Sequence, residues 1–490
     1  MALAPFFERV YGAVGGHLSV SKESLTAVLD RVSVGIRFGD SSRTNDHWIA
    51  ELSTNLLARL YPRLVISGEG PRRALLRRLA LRINPDIDFS EDSHPEHTIV
   101  VGASGEYDGA LIPSATGWVA RLDHSRGRRS GPTNPYSSAA AAALACSDLF
   151  RRIFLKGKAE RDVSLSLLNY DGSTGAEASL AGGSLGQVLF VGVGAVGNAA
   201  LWAMARHSGL KGTLRLVDPE ELTLLNLQRY VLGGVKDVSR AKVSLGQQIL
   251  KDSQISVKTS QTSLEEFADE HSGITIPTLC ISVDSVEGRR SAQALLPELI
   301  VNGWTGDRAL GASWHVFSRD AACLACLYHP HGQGASATDQ AARALGLPPD
   351  RTVLLWVTRQ PLSDEDIATA AVTLGVDPSR LDPWRGKPLG DLYTDVVCGA
   401  VPMDLGGVGR VETVPLAHQS VMAGVLMAAE LVKRRSPKLS ALSQAEPLLS
   451  WDDVLQAPPA IWRKPRAREA GCICTDKTYQ DVYSKKWPTT

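Results

Sequence analysis

A chain of 490 residues, 44% hydrophobic and 21% charged, is too long for one ordinary core and is expected to form two or three domains. Its 52 Lys and Arg balance 52 Asp and Glu, which argues against a nucleic-acid binder working through bulk electrostatics. Glu8 and Arg9 fall where a signal peptide needs an apolar run, and the apolar stretch 421–432 is short for a membrane span and contains Glu430. It reads as a buried helix; no membrane partner is expected, and the expected address is the cytoplasm.

Residues 1–175 read as one α/β unit. A helical pattern over 45–61 leads into the strand-like PRLVISGEG, HTIVVGASG (97–105) reads as a second buried strand, and an alanine-rich helix covers 137–154. The Gly- and Ser-rich stretch 172–186 reads as a linker. A second α/β unit starts at Gln187, where VLFVG, TLRLVD and TLCISVD alternate with helical patterns and imply parallel strands with crossover helices. From 331 to 397 the chain turns polar and helical, with a serine cap opening SDEDIATAAVTLGV, while 377–391 is punctuated by Pro and Gly and reads as loop. Apolar character returns in a helix over 415–433, before a Trp- and Pro-rich tail. No internal repeat is evident at solenoid periods.

The strand VLFVG runs into Gly192-Val-Gly194-Ala-Val-Gly197 and then a helix. Such glycines allow a tight turn and let phosphate approach N–H groups at a helix N-terminus, where the dipole favours negative charge. NAD, FAD and ATP all use this arrangement. Asp218 ends the next strand, where an acidic residue commonly bonds a ribose hydroxyl. Asn226, Arg229 and Lys242 follow within 25 residues. A dinucleotide enzyme has no need of that group, whereas departing pyrophosphate needs cationic stabilisation. Asp284, at the end of TLCISVD, is placed to hold Mg²⁺ against phosphates, and Arg289 lies about one helical turn beyond.

These motifs resemble those of the ThiF and ubiquitin-activating family of adenylating enzymes. The run from Asp218 to Arg229, DPEELTLLNLQR, is similar to the family's D-x-D-x-V-x-x-x-N-L-x-R, and DSVEGR to its D-N-x-x-x-R. Tyr230, Ser285 and Glu220 are departures from the usual Gln, Asn and Asp. The resemblance implies an α/β, doubly wound, mostly parallel sheet of Rossmann-like adenylation type. It implies that Gly192, Gly194, Gly197 and Asp218 bind ATP, that Asn226, Arg229 and Lys242 face the triphosphate, and that Asp284 holds magnesium. The expected domains are a degenerate adenylation-like half (1–175), the first part of the active half (176–330), a helical insertion (331–397), and a crossover loop with closing helix and zinc-binding tail (398–490). Family members adenylate as paired halves, so a monomer with an internal pseudo-dimer or a homodimer is expected. Arg43 is a candidate for an arginine presented to ATP by the first half.

The seven cysteines are odd in number and lack an export signal, which argues against a disulfide framework. Cys323 and Cys326, together with Cys472 and Cys474, offer four thiolates for a tetrahedral Zn²⁺ site that ties the tail to the core. His329 and His331 are lower-ranked substitutes, and free buried cysteines are the alternative. The family often carries such a zinc, with a two-residue gap in the second pair where this chain has one. Cys146 and Cys280 read as packing. Cys398 is isolated beside Gly399, ahead of a segment resembling the family's crossover and following helix. One branch, similar to the activating enzyme of the ubiquitin-fold modifier, has its thioester-forming cysteine in this place; a buried core cysteine is the competing reading.

The resemblance thus implies adenylation of the C-terminal glycine of a ubiquitin-like protein, a thioester on Cys398, and transfer to a ubiquitin-conjugating-like enzyme. Bacterial antiviral defence operons encode pathways of this kind. Three rivals stand beside it: a sulfur-carrier adenylyltransferase of the molybdopterin or thiamine type without an obligatory thioester, an NAD-binding dehydrogenase, and a nucleotide-binding scaffold without turnover.

Overall fold

The computed structural model describes residues 3–488 apart from 19, 40, 69, 91–94, 104, 156–160, 177, 179, 181, 307–308, 318–320, 330–336, 394–395, 397–413, 443–447, 452–460 and 465–466. The chain forms two compact units, one comprising 1–7, 23–328 and 415–490, the other 8–22 and 329–414.

Within the first unit, Val34–Phe38, Arg63–Ser67, Asp88–Phe89 and His97–Val101 make a parallel sheet. Its spatial order puts Val34–Phe38 between Arg63–Ser67 and His97–Val101, and the helix Thr44–Leu57 crosses between the first two strands in sequence. The alanine-rich segment is the helix Pro135–Phe154, opened by Asn134, whose side chain accepts from the N–H groups of Tyr136 and Ser137. It is buried along nearly its whole length, which small side chains permit.

The larger sheet runs, in spatial order, Gln254–Ser260, Leu210–Val217, Gly183–Val191, Thr278–Ile281, Leu299–Thr305, Leu310–His315, Leu448–Trp451 and Ile461–Lys464. The first five are parallel and the last three antiparallel additions. Val188, Leu189, Phe190 and Val191 are all buried, as a parallel strand covered on both faces requires. This strand begins at Gly183, so the expected linker is shorter than its composition suggested. Gly183 and Ser184 already pair with Leu210 and Lys211, and an irregularity before Gln187, with Gly186 at φ +65°, absorbs the register change.

The helix Ala417–Arg435 is buried all round through Lys433, the signature of a core helix. A Cβ on Gly424 would stand 2.3 Å from the carbonyl oxygen of Val196, so its glycine lets this helix press against Ala195–Met204, the helix that follows the glycine turn. Lys433 Nζ donates to the carbonyls of Leu167 (2.9 Å) and Leu168 (3.1 Å).

The second unit contains the helices Ala337–Leu345, Pro349–Thr358 and Asp364–Leu374. Ser363 and Asp366 form a reciprocal capping box at the start of the last. The stretch expected as loop instead forms a 3-10 helix, Pro378–Trp384, and a helical turn, Leu389–Leu392. Asp377 caps it, and Leu381, Trp384 and Leu389 bury into a core with Leu345, Leu355 and Ile367. Burial of these apolar anchors overrides the Pro and Gly signal. Among the described residues no helix is long and apolar enough to cross a membrane.

Candidate active site

Gly183–Val191 lies between Leu210–Val217, the next strand in sequence, and Thr278–Ile281, which comes after the chain has crossed to the other side. Strand order therefore reverses beside Gly183–Val191, and ligands of open α/β sheets bind beyond the carboxyl ends of strands at such a point. The glycine turn sits there. Gly192 has φ +87°, and a Cβ on it would meet the Ser282 carbonyl oxygen at 2.9 Å. A Cβ on Gly197 would stand 2.1 Å from the carbonyl oxygen of Gly192. Both are packing requirements. Gly194 is different: a Cβ there would meet no atom within 4 Å. It caps the helix Ala195–Met204 and is half-buried, leaving room for an anion to approach the helix N-terminus.

Asp218 follows the neighbouring strand directly. Its carboxylate accepts from the N–H groups of Val193 (2.6 Å) and Glu220 (2.9 Å). Burial raises its pKa above the ordinary carboxylate value, and Lys242 opposes that shift. The buried Lys242 donates from Nζ to the exposed Glu220 carboxylate. Asp218, Glu220 and Lys242 thus form one electrostatic group beside the glycine turn. A short pairing closes the chain between them: Lys242 N donates to the Glu220 carbonyl at 3.0 Å and Leu222 N to that of Arg240 at 2.8 Å, with Glu221 bridged to Ala241. Residues 222–240 therefore form a lasso closed at its base.

Asn226 lies in a 3-10 turn, Leu225–Gln228, which Arg229 caps with its amide donating to Asn226 O at 3.1 Å. Both are half-buried. Asn198 fastens the lasso to the glycine turn: its side-chain amide donates to Gly194 O at 2.7 Å, and its oxygen accepts from Leu232 N at 3.3 Å. Sequence reasoning missed this asparagine because any polar residue reads as neutral in a helix.

On the other side, Ser282 Oγ donates to Gly192 O at 2.8 Å, which sets the segment leading to Asp284 against the turn. Asp284 is exposed and lies three residues past the strand Thr278–Ile281, in the connection rather than at the strand's end. Ser285 caps the helix Val286–Ala294 that follows. Arg289 is buried and points inward, donating from Nε to Asn302 Oδ1 at 3.1 Å and from its guanidinium to the Asp284 carbonyl at 3.4 Å. Its place is to hold the connection.

The four paired cysteines converge. Cys323 Sγ lies 3.9 Å from Cys326 and 3.6 Å from Cys472, and Cys326 lies 3.4 Å from Cys474. All four sulfurs fall within 4.8 Å of one another and are buried. A tetrahedron of thiolates around zinc at about 2.3 Å has edges of roughly 3.8 Å, so the donor set is compatible with zinc. These separations are too long for disulfides, and the thiols are free. The tail is docked beside them by Trp487 Nε1 donating to Leu296 O (2.9 Å) and Lys486 Nζ to Leu295 O (2.9 Å). His329 stands outside the cluster, and His331 lies outside the described residues.

Cys398, the expected nucleophile, also lies outside the described residues. Cys146 and Cys280 are buried, and burial pushes both thiols well above the ordinary range, consistent with packing. Arg43 donates to the Ser130 carbonyl within the N-terminal half.

The fold and the glycine turn at the switch in strand order together define a Rossmann-like nucleotide-binding protein. The model of the ThiF family matches residues 184–452, and the chain belongs to that family of ATP-dependent adenylyltransferases. A protein of Sinorhizobium fredii (strain NBRC 101917 / NGR234), described as uncharacterized protein y4jF, is 31% identical over 517 aligned residues, covering 99% of this chain and 98% of that one. Among solved structures, E. coli MccB with ATP matches at 14% identity and TM-score 0.37, over 75% of this chain and 98% of that one. E. coli MccB with MccA-N7isoASN matches at 14% identity and TM-score 0.36, over 59% of this chain and 66% of the solved chain.

Proposed function

We propose that this protein adenylates the C-terminal glycine of a small ubiquitin-like protein and then carries it as a thioester on Cys398. The observation that carries the adenylation step is the open helix N-terminus at Gly194, flanked by the Asp218–Glu220–Lys242 group on one strand end and Asp284 beyond another. Triphosphate over the glycine turn would take Lys242 from Glu220 as its partner, with Asn226 and Arg229 toward the leaving phosphates and Asp218 toward ribose. Asp284 would hold Mg²⁺, which supplies charge neutralisation at the phosphates.

The substrate carboxylate is already an anion at neutral pH. Its oxygen forms a bond to the α-phosphorus as the bond to pyrophosphate breaks, so no general base is required. Positioning and charge neutralisation supply the acceleration. The Cys398 thiolate then bonds to the acyl carbon and AMP departs, leaving a thioester for a conjugating enzyme, as in the ubiquitin-like pathways of bacterial defence.

The domain reading accompanies this proposal: 1–175 as the degenerate half of an internal pseudo-dimer, 176–330 as the active half, 331–397 as the insertion, and 398–490 as crossover, closing helix and zinc-bound tail. One feature of the first half supports its being degenerate. Asp46, in the first turn of the helix Thr44–Leu57, accepts from the Ser41 and Ser130 hydroxyls and places a carboxylate where a phosphate would need positive potential.

ATP–pyrophosphate exchange tests the site. Exchange should require ATP and a modifier ending in a free glycine, and NAD should not substitute. Lys242→Ala and Asp284→Ala should each lower the rate by roughly 100-fold or more, the usual cost of lost transition-state charge stabilisation. Near-normal exchange in both variants would overturn the assignment.

A further inference from the structure

We propose that Arg59, from the N-terminal half, is a positioning residue of the adenylation site, clamping the lasso that carries Asn226 and Arg229. The inference rests on the adenylation reading for its catalytic consequence, but the clamp itself is visible in the contacts. Arg59 is 1% exposed and lies just beyond the helix Thr44–Leu57. Its Nε donates to Asn55 Oδ1 at 3.0 Å, which fixes the plane of the guanidinium. The two remaining nitrogens reach the lasso, one donating to the carbonyl of Leu227 and the other to that of Gly233 at 3.1 Å.

Neighbouring contacts act on the same segment. Asn55 Nδ2 donates to Val231 O at 3.0 Å, and Arg82 donates to Leu232 O at 3.0 Å and to the Asp237 carboxylate at 2.7 Å. A Cβ on Gly234 would stand 2.3 Å from the Arg82 carbonyl oxygen, so the backbones themselves abut. The lasso is thus held from the N-terminal half by Arg59, Asn55 and Arg82, and from the nucleotide helix by Asn198.

The choice of residue is informative. Among the described residues Arg59 has no carboxylate partner; carbonyl dipoles alone answer its charge. A buried cation without a counter-ion is a poor device for stability, and an apolar side chain would serve a core better. A rigid planar fork does something an apolar group cannot: it sets the separation of two carbonyls six residues apart in a loop. Burial, reinforced by Arg82, pulls its pKa down to about 9, which leaves it a cation at neutral pH. In a reaction with no general base, placement of Asn226 and Arg229 is most of the catalysis, and a shift near 1 Å costs about 100-fold.

The test compares Arg59→Met, Arg59→Lys and Asn55→Ala with Leu57→Ala, a cavity variant at the buried end of the same helix, whose apolar side chain can donate no hydrogen bond to these carbonyls. Two readouts are used: amide hydrogen exchange over 226–234, and pyrophosphate-exchange KM for ATP and kcat. The clamp predicts that Arg59→Met and Asn55→Ala lose protection at Arg229 and Leu232 and lose roughly 10- to 100-fold in kcat/KM for ATP. Arg59→Lys should recover part of both, while Leu57→Ala changes melting temperature with little effect on either. Should Arg59→Met not fold, Asn55→Ala carries the comparison. If Leu57→Ala at matched stability loss behaves like the clamp variants, or if protection over 226–234 is unchanged, the proposal is overturned. Absence of exchange in the wild type would count against the adenylation reading alone, because hydrogen exchange still decides the clamp.

Discussion

The backbone N–H of Val193 donates to the Asp218 carboxylate at 2.6 Å, so the turn after one strand is held by the residue that directly follows its neighbour. One carboxylate oxygen shapes the cradle while the other accepts from Glu220 N, and the charge is answered by Lys242. The chain's own hydrogen bonds therefore shape the turn, the kind of fixed dipole arrangement on which electrostatic preorganisation rests.

Gly194 and Gly197 should respond differently to alanine. Gly194→Ala meets no atom within 4 Å, so its melting temperature should stay within about 2 °C of wild type. Its ATP KM should nonetheless rise about 10-fold or more, because the methyl enters the space phosphate needs. Gly197→Ala, with 2.1 Å to Gly192 O, should lose stability as well as binding. Thermal melts beside ATP titrations check this; an unchanged KM in Gly194→Ala would mean that phosphate binds elsewhere.

The cysteine centre should contain about one zinc per chain by mass spectrometry of the native protein. Cys323→Ser should reduce the metal content and lower the melting temperature, since the site joins residues 149 apart in sequence. A chelator should release the metal slowly, because all four sulfurs are buried. Zinc persisting at full occupancy in a Cys323/Cys472 double variant would place the ligands elsewhere.

Cys398→Ala should separate the two half-reactions. Pyrophosphate exchange uses no thiol and should remain within about 2-fold of wild type, while the thiol-sensitive adduct of enzyme and modifier should vanish from a non-reducing gel. An adduct that persists, or that moves to Cys146 or Cys280, would leave the sulfur-carrier type of chemistry as the better account.

A pH effect is expected in the N-terminal half. His124 lies 2.9 Å from Asp148 through Nε2 and 3.3 Å from Asp162 through Nδ1, with Arg151 and Arg152 also on Asp148. Burial alone would lower its pKa, but hydrogen bonds to and the charge of Asp148 reverse that, and the net shift is upward. A raised histidine stabilises the fold fully below its unfolded value of about 6.5 and loses that contribution as pH rises through the folded pKa. His124→Ala should therefore be most destabilising near pH 6, and the gap to wild type should narrow toward pH 9. Urea midpoints at the two pH values measure it; a gap that widens with pH would contradict the assignment.

Much of the nucleotide side was legible without coordinates, because its signals are local. The strand VLFVG, the spacing of Gly192, Gly194 and Gly197, Asp218 after the next strand and the buried helix expected over 415–433, which forms as Ala417–Arg435, are each specified within one strand, turn or helix, where side-chain period and glycine stereochemistry act over a few residues. The pairing of Cys323 with Cys472 could be expected from cysteine chemistry, since few other residues occur in such pairs. The 3-10 helix at Pro378–Trp384 and the early start of Gly183–Val191 were decided by burial and by a partner strand, which outweigh local Pro and Gly preferences. Arg59 was beyond reach altogether. In the sequence it is one of 52 basic residues, and nothing local separates an arginine bound for water from one bound for two carbonyls about 170 residues away. Only the folded chain, by enclosing that side chain and offering it Leu227 and Gly233, made its position decisive.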